Sequence, residues 1–103
     1  MRLVLLDQAK EDIANIADYI AEQSQSRRVG KDFAKRIYEK CKELASINGT
    51  IGVERPELRA GLRSHPFGNY VIFFMYNDNN LEVVTIIEGH RDIKSLFSSP
   101  SKP

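Results

Sequence analysis

The stretch RAGLRSHPFGNYVIFFMY, residues 59–76, decides the fold of this chain. Residues 70–76 are apolar at odd and even positions alike, which predicts a central strand buried on both faces. The preceding residues 58–66 are predicted to form a neighbouring strand, with Leu62 turned inward and Arg63 exposed. The core of the domain is therefore expected to be built on this pair of strands.

The chain turns back directly after the central strand. The tetrapeptide NDNN at residues 77–80 favours a tight turn, because Asn and Asp tolerate positive φ angles. Residues 81–88 are then predicted to return as the next strand. A short apolar strand at residues 2–6 and a final helical turn at residues 93–97 complete the two ends of the domain.

Two amphipathic helices are predicted between the first strand and the hairpin. The first begins at Asp7, a favourable N-cap residue, and ends near residues 23–26, and the second covers residues 28–46. Each has one apolar stripe at helical spacing, formed by Ile13, Ile16, Ala17 and Ile20 in the first and by Phe33, Ile37, Cys41 and Leu44 in the second. The short polar link predicts an antiparallel pair.

The predicted elements follow the order β-α-α-β-β-β, with a short C-terminal helical turn. This order is typical of an α+β fold, in which an antiparallel two-helix hairpin packs on a small, mainly antiparallel sheet. We expect residues 1–97 to form a single domain. Residues 98–103 are polar and interrupted by proline, so they are expected to form a tail.

Composition argues against several classes of protein. The 103 residues carry a net charge of +1, which is low for a nonspecific nucleic-acid binder. The apolar run at residues 3–6 is too short for a signal peptide or a membrane span, so a cytoplasmic location and no membrane association are expected. The one cysteine, Cys41, cannot form an internal disulfide, and its place in a helix stripe predicts a buried, unreactive thiol.

Neither a metal site nor a cofactor is expected. His65 and His90 are the two histidines, and no pair of potential ligands has the spacing that would hold a metal ion. Hydrolase motifs and a phosphate-binding glycine loop are also missing, since Gly61 and Gly68 are assigned to turns or a bulge.

The one constellation that could carry chemistry is cationic. It consists of Arg59, Arg63, His65, His90, Arg91 and Lys94. Arg63 and Arg91 are predicted near strand ends, where their guanidinium groups could converge on one phosphate or carboxylate. With a nearby histidine to move a proton, such a site would suit RNA cleavage. The alternative is a set of solvated charges, with Arg91 paired to Asp92 or Glu88.

Uncovered apolar surface would point to a protein partner. A two-helix layer over one small sheet often leaves part of its apolar faces open, and such surface usually marks a partner site. A strand of the partner could extend an open sheet edge, and a helix of the partner could lie beside the helical hairpin.

Four segments, in order along the chain, resemble the ParE branch of the RelE/ParE toxins of bacterial toxin–antitoxin pairs: residues 9–22, 55–64, 69–74 and 87–93. The resemblance implies a toxin that inhibits growth by acting on DNA gyrase, is not itself an enzyme, and serves functions such as plasmid maintenance. It also implies neutralisation by a cognate ParD-like antitoxin. No direct sequence-specific binding to nucleic acid is expected.

The resemblance also suggests roles for particular residues. The residues predicted to contact the target are Arg59, Arg63, Arg91 and Phe97. The residues predicted to contact the antitoxin are Ile13, Ile16, Ile20, Phe33 and Ile37.

The alternative within the superfamily is a RelE-like, ribosome-dependent mRNA endoribonuclease, whose catalytic residues here would be Arg63, His90 and Arg91. RelE-type ribonucleases tend to place an arginine directly after the tyrosine that opens the central strand, whereas Val71 follows Tyr70 here. Phe97 stands where they place a C-terminal tyrosine, and phenylalanine has no hydroxyl to donate. A third possibility is a chain that only binds its antitoxin.

Overall fold

The computed structural model describes residues 1–98. The elements are β1 (Arg2–Leu5), α1 (Asp7–Ser24), α2 (Arg27–Ser46), β2 (Val53–Glu54), β3 (Arg63–Phe67), β4 (Tyr70–Asn77), β5 (Asn80–Glu88) and α3 (Ile93–Ser98). The sheet has the strand order β1-β5-β4-β3-β2. β1 runs parallel to β5, and the other neighbouring strands are antiparallel. The predicted α+β fold, a two-helix hairpin on a mainly antiparallel sheet, is confirmed.

The β4–β5 hairpin is the centre of the sheet, as the sequence predicted. Its ladder runs from the pair Tyr70–Glu88 to the pair Asn77–Asn80. Asp78 in the turn has a φ of 56°, in the left-handed region that Asn and Asp tolerate better than most residues. The turn chemistry of the NDNN tetrapeptide therefore sets the register of the hairpin.

A β-bulge at Val84 interrupts the regular pairing of β4 and β5. Phe73 pairs with Thr85 while the adjacent Phe74 pairs with Val83, so Val84 has no partner on β4. The extra residue shifts the alternation of β5 by one position. Because of this shift, Val83 and Ile86 pack in the core beneath the helices, whereas Val84 and Ile87 pack on the opposite face.

The two helices are joined by a link that ends one helix and caps the next. Gln25 adopts a left-handed conformation with a φ of 56°, and the Oγ of Ser26 accepts a hydrogen bond from the amide of Val29 at 3.2 Å. The prediction that Asp7 is the N-cap of α1 is wrong, because Leu6 occupies that position. The amide of Leu6 extends the sheet by bonding to the Val83 carbonyl, and Asp7 is the first helical residue instead of the cap.

α1 and α2 approach each other closely at Gly30. A Cβ atom at this position would lie 2.3 Å from the Ala17 carbonyl oxygen and 3.0 Å from the Ala21 Cβ. The start of α2 therefore packs directly on the end of α1, which is the antiparallel arrangement that the short link predicted. Glycine is required here for space, although it weakens a helix.

The central strand has buried residues on both faces, as predicted. Ile72 and Phe74 belong to the core between the sheet and the helices, together with Ile37, Cys41 and Leu44. Phe73 belongs to a smaller core on the opposite face, with Leu62 and Ile87. All three residues of the strand are fully buried. α3 and the segment before β3 cover this second face.

The strand predicted at residues 58–66 is shorter than expected. β3 begins at Arg63, and residues 56–61 form turns in which the Arg55 carbonyl accepts the amides of Leu58 and Arg59. The two-residue strand β2, which was not predicted, pairs with Ser64 and Arg63 instead. Pro56 precludes regular pairing and favours these local turns. Leu62 is nevertheless buried, as predicted.

Within residues 1–98, no helix is both long enough and apolar enough to cross a membrane. The predicted polar tail, residues 98–103, lies outside the described residues except for Ser98, which ends α3.

Candidate functional site

A cationic cleft lies beside β5 and brings together three of the four residues predicted to contact the target. Its volume is about 410 Å³, and its lining includes Arg59, Arg91 and Phe97. The lining also includes residues 84–87 of β5 and Gln8 and Asp12 of α1. We refer to this site as the cationic cleft.

Phe97 organises one side of the cationic cleft. Its ring packs edge-on against Phe73 with the centroids 5.0 Å apart, which anchors α3 on the sheet. The guanidinium carbon of Arg59 lies 5.3 Å from the Phe97 ring centroid, a cation–π contact. The aromatic ring therefore holds a positive charge in the lining of the cleft and links that charge to the position of α3.

Arg59 and Arg91 are both free of ion pairs among the described residues. No carboxylate of residues 1–98 lies within 4.0 Å of either guanidinium, and both residues are exposed. The suggested pairing of Arg91 with Asp92 or Glu88 is therefore not formed; Glu88 contacts His90 instead. Two unneutralised arginines in one cleft can bind a carboxylate or phosphate of another molecule.

Asp12 is a residue of this site that the sequence interpretation missed. Its Oδ2 accepts a hydrogen bond from the Thr85 hydroxyl and another from the Ile86 amide, the latter at 3.0 Å. β1 pairs only with residues 80–83, so this stretch of β5 has no neighbouring strand on that side. The sequence does contain a signal for this role of Asp12. Asp12 stands next to Ile13, at the border of the apolar stripe, where a carboxylate can reach the sheet.

Arg63 is placed away from the cationic cleft, and the prediction that it is exposed is wrong. It pairs across the strands with Phe74, whose ring lies in the core beneath the helices. Its guanidinium donates to the carbonyls of Ile51 at 2.7 Å and Gly52 at 3.2 Å, and its side chain is 17% exposed. Arg63 therefore fastens the loop before β2 and does not converge with Arg91, which lines the cationic cleft.

The three residues that a ribonuclease would require do not form one site. Arg63 is engaged by loop carbonyls on the helix face, whereas Arg91 lines the cationic cleft. The His90 side chain is 86% exposed and lies 3.9 Å from Glu88. General acid–base catalysis needs its groups within hydrogen-bond reach of one reacting centre, and this arrangement does not provide that.

The residues predicted to contact the antitoxin divide into two groups. Ile16 and Ile37 are buried in the core and offer almost no surface to a partner. Ile13, Ile20 and Phe33 are only partly buried. The exposed apolar surface of the helices also includes Tyr19, Val29 and Tyr38, which are 55%, 45% and 44% exposed.

A second cleft of about 390 Å³ lies where the helical hairpin meets the turn between β3 and β4. It is lined by Tyr19, Ile20, Phe33, Gly68, Asn69, Tyr70 and Glu88. We refer to it as the aromatic cleft. Two of the predicted antitoxin contacts, Ile20 and Phe33, therefore line one depression.

Residues 1–98 contain neither a group of side chains suited to bind a metal ion nor a reactive thiol. Among residues 1–98 no group of three or more His, Cys, Asp or Glu side chains could hold a metal ion. Cys41 is fully buried, as predicted, and burial raises the pKa of its thiol from 9.0 to about 11. A thiol with such a pKa is protonated near neutral pH and is a poor nucleophile.

Comparisons with known proteins identify the family. Residues 3–93 match the family described as "ParE toxin of type II toxin-antitoxin system, parDE". A solved structure from P. aeruginosa, described as its chromosomal ParDE TA system, is similar with a TM-score of 0.73 and 19% identity, over 85% of this chain and 95% of that chain. At that identity the likeness supports the fold alone, and a comparison with curated proteins finds no match. Because the family match spans most of its length, this chain belongs to the ParE toxins of type II toxin–antitoxin systems.

Proposed function

We propose that this chain is a toxin that inhibits DNA gyrase by binding to it, and that a ParD-like antitoxin neutralises it. Membership of the ParE family supports the type of target. The observation that carries the mode of action is the cationic cleft, in which Arg59 and Arg91 have no carboxylate partner within residues 1–98. The cleft offers positive charge for binding but no convergent acid–base groups for catalysis.

The target is proposed to contact Arg59, Arg91 and Phe97. The two guanidinium groups would take acidic side chains of gyrase, and Phe97 would keep α3 and Arg59 in place. Arg63 is proposed to support the fold instead, because its guanidinium is bonded to the Ile51 and Gly52 carbonyls. This division predicts that loss of Arg63 lowers stability, whereas loss of Arg91 lowers activity.

The antitoxin is proposed to cover the helical hairpin and the open part of the β5 edge. The exposed rings of Tyr19 and Tyr38 and the partly buried Ile20 and Phe33 give the hairpin an apolar surface. Residues 84–87 of β5 lack a strand neighbour on the β1 side, where Asp12 accepts the Ile86 amide, so an extended segment of the antitoxin could lie along this edge through side-chain contacts. A cytoplasmic location follows from a target that acts on the chromosome.

The test is supercoiling of relaxed plasmid by purified gyrase in the presence of this protein, followed by addition of the cognate antitoxin. We expect inhibition with accumulation of cleaved DNA, and reversal by the antitoxin. Arg59→Ala and Arg91→Ala should each weaken inhibition roughly tenfold, since each removes one charged contact. Lys35→Ala is the matched control, because Lys35 is an exposed cation on α2 that does not line the cleft.

Two results would contradict the proposal. One is unchanged supercoiling at a large molar excess of protein whose circular dichroism shows a folded domain. The other is cleavage of ribosome-bound message in a purified translation system, which would assign the chain to the ribonuclease alternative. Circular dichroism of each variant separates lost contact from lost folding.

A further inference from the structure

Three aromatic rings surround the aromatic cleft. Tyr19 comes from α1, Phe33 from α2 and Tyr70 from the start of β4. The Phe33 and Tyr70 centroids are 5.7 Å apart, with their planes at 57°, so the two rings form adjoining walls at an angle. Tyr19 is 55% exposed, a large fraction for an aromatic side chain, and it stands at the rim. Ring faces carry negative electrostatic potential, so such a cleft favours a positive charge.

A carboxylate completes the lining of the aromatic cleft. Glu88 is the cross-strand partner of Tyr70, and its side chain is 35% exposed. One of its oxygens accepts the His90 amide at 3.0 Å, which fixes the carboxylate in place. Tyr19, Tyr70 and Glu88 all line this cleft. Burial raises the pKa of the Tyr70 hydroxyl, and the nearby Tyr19 and Glu88 raise it further.

We propose that the aromatic cleft binds a cationic side chain, lysine or arginine, presented by the partner protein that covers the helical hairpin. The rings would contact the charged group through cation–π interactions, and Glu88 would supply the opposite charge. Ile20 would pack against the aliphatic stem of the side chain. The chain already makes one such contact nearby, where the Arg36 guanidinium carbon lies 5.1 Å from the Phe33 ring centroid.

The choice of a protein side chain rests on the proposed function and on the position of the cleft. Tyr19 belongs both to the cleft and to the exposed apolar surface of the hairpin that the antitoxin is proposed to cover. A cation on the antitoxin would then enter the cleft from the edge of that surface. Binding of a cation to the aromatic cleft does not depend on gyrase, so it can be tested whether or not the toxin inhibits that enzyme.

The first experiment titrates the full-length protein with two matched pairs of capped amino-acid amides. The cationic probes are Nα-acetyl-lysine methylamide and Nα-acetyl-arginine methylamide, and the neutral controls are the corresponding norleucine and citrulline amides. NMR spectra report the tyrosine ring signals and the backbone amides around Glu88. We expect the cationic probes to shift the signals of Tyr19, Tyr70 and Glu88 and to bind roughly three- to tenfold more tightly than the neutral controls.

Variants separate the charge of the cleft from general effects. Glu88→Gln should lower the affinity for the cationic probes several-fold, whereas Glu82→Gln, a matched change elsewhere on β5, should leave it unchanged. Tyr19→Ala should weaken binding, whereas Tyr38→Ala, which removes an exposed tyrosine of α2 outside the cleft, should not. Thermal unfolding of each variant checks that the fold is retained.

Several outcomes would overturn the proposal. Equal binding of the lysine and norleucine amides would make the cleft an apolar pocket without charge selectivity. Binding of tetramethylammonium but not of the capped amides would make it a site for a small free cation. The absence of shifts at Tyr19, Tyr70 and Glu88, or equal effects of Glu88→Gln and Glu82→Gln, would remove the cleft as a cation site. Failure of gyrase inhibition alone would leave these results unaffected.

Discussion

Replacing Asp12 by alanine tests whether one carboxylate joins the helical layer to the sheet. In the native protein its Oδ2 accepts hydrogen bonds from the Thr85 hydroxyl and from the Ile86 amide at 3.0 Å. These groups belong to the part of β5 that has no strand beside it on the β1 side. The variant Asp12→Ala therefore leaves a backbone amide and a hydroxyl without their acceptor.

The magnitude follows from the number of bonds and from access to water. A hydrogen bond to a charged group contributes about 1.5–3 kcal/mol. The two bonds share one oxygen, and water in the adjacent cationic cleft can reach the freed donors, so we expect a total loss of about 2–3 kcal/mol rather than twice the single value. With a urea m-value of about 1–3 kcal/mol/M, the unfolding midpoint should fall by about 0.7–3 M.

Urea denaturation followed by circular dichroism measures this loss, with two comparison variants. Asp18→Ala removes an exposed carboxylate from the same helix and should change the free energy of unfolding by less than about 0.5 kcal/mol. Asp12→Asn keeps an acceptor oxygen and should lose about half as much as Asp12→Ala. If Asp12→Ala and Asp18→Ala unfold at the same urea concentration, the carboxylate does not join the layers and the reasoning is refuted.

Three further perturbations have expected outcomes. Gly30→Ala should destabilise the protein by about 1–3 kcal/mol despite the higher helix propensity of alanine, because the new Cβ would meet the Ala17 carbonyl oxygen at 2.3 Å; a rise in thermal stability would contradict this. Phe97→Ala should release α3 and weaken gyrase inhibition by about tenfold, whereas Tyr38→Ala, which removes an exposed aromatic side chain outside the cationic cleft, should have little effect; equal inhibition by both variants would exclude this role. For Cys41, the folded pKa of about 11 against the ordinary 9.0 means that the unfolded chain loses the thiol proton first as the pH rises, so stability should fall by about 2 kcal/mol from pH 9 to pH 11. Urea midpoints across this range should fall less for Cys41→Ala, and parallel pH profiles would show that the thiol does not contribute.

The elements with strong hydrophobic patterns were predictable from the sequence. Residues 70–76 of β4 are apolar and include buried residues on both faces, and the NDNN turn returns the chain into β5. The apolar stripes ending at Ile20 and Leu44 likewise predicted both helices. The start of α2 differs from the prediction by one residue, and the N-cap of α1 was assigned wrongly. These patterns suffice because each is local and repeated, so that every residue supports the same assignment.

The segment at residues 58–66 shows where such patterns stop being sufficient. Leu62 was correctly predicted to be buried, but the turns at residues 56–61 depend on hydrogen bonds to the Arg55 carbonyl. The short strand β2 exists because the chain passes beside β3, not because Val53 and Glu54 have a recognisable pattern. Pairing between distant segments is decided by the folded chain.

The sequence by itself determined the α+β class, the central hairpin, the helical pair and, through the resemblance, the ParE family that residues 3–93 confirm. The sequence also led to the prediction that Arg59, Arg91 and Phe97 contact the target, and these three residues share one cleft. Only the tertiary structure separated Arg63 from Arg91, revealed the bonds of Asp12, and brought Glu88 to the aromatic cleft. The physical reason is that burial and periodicity are encoded locally, whereas the face on which a charge lies depends on strand register, and a single bulge at Val84 changes it for every later residue of β5.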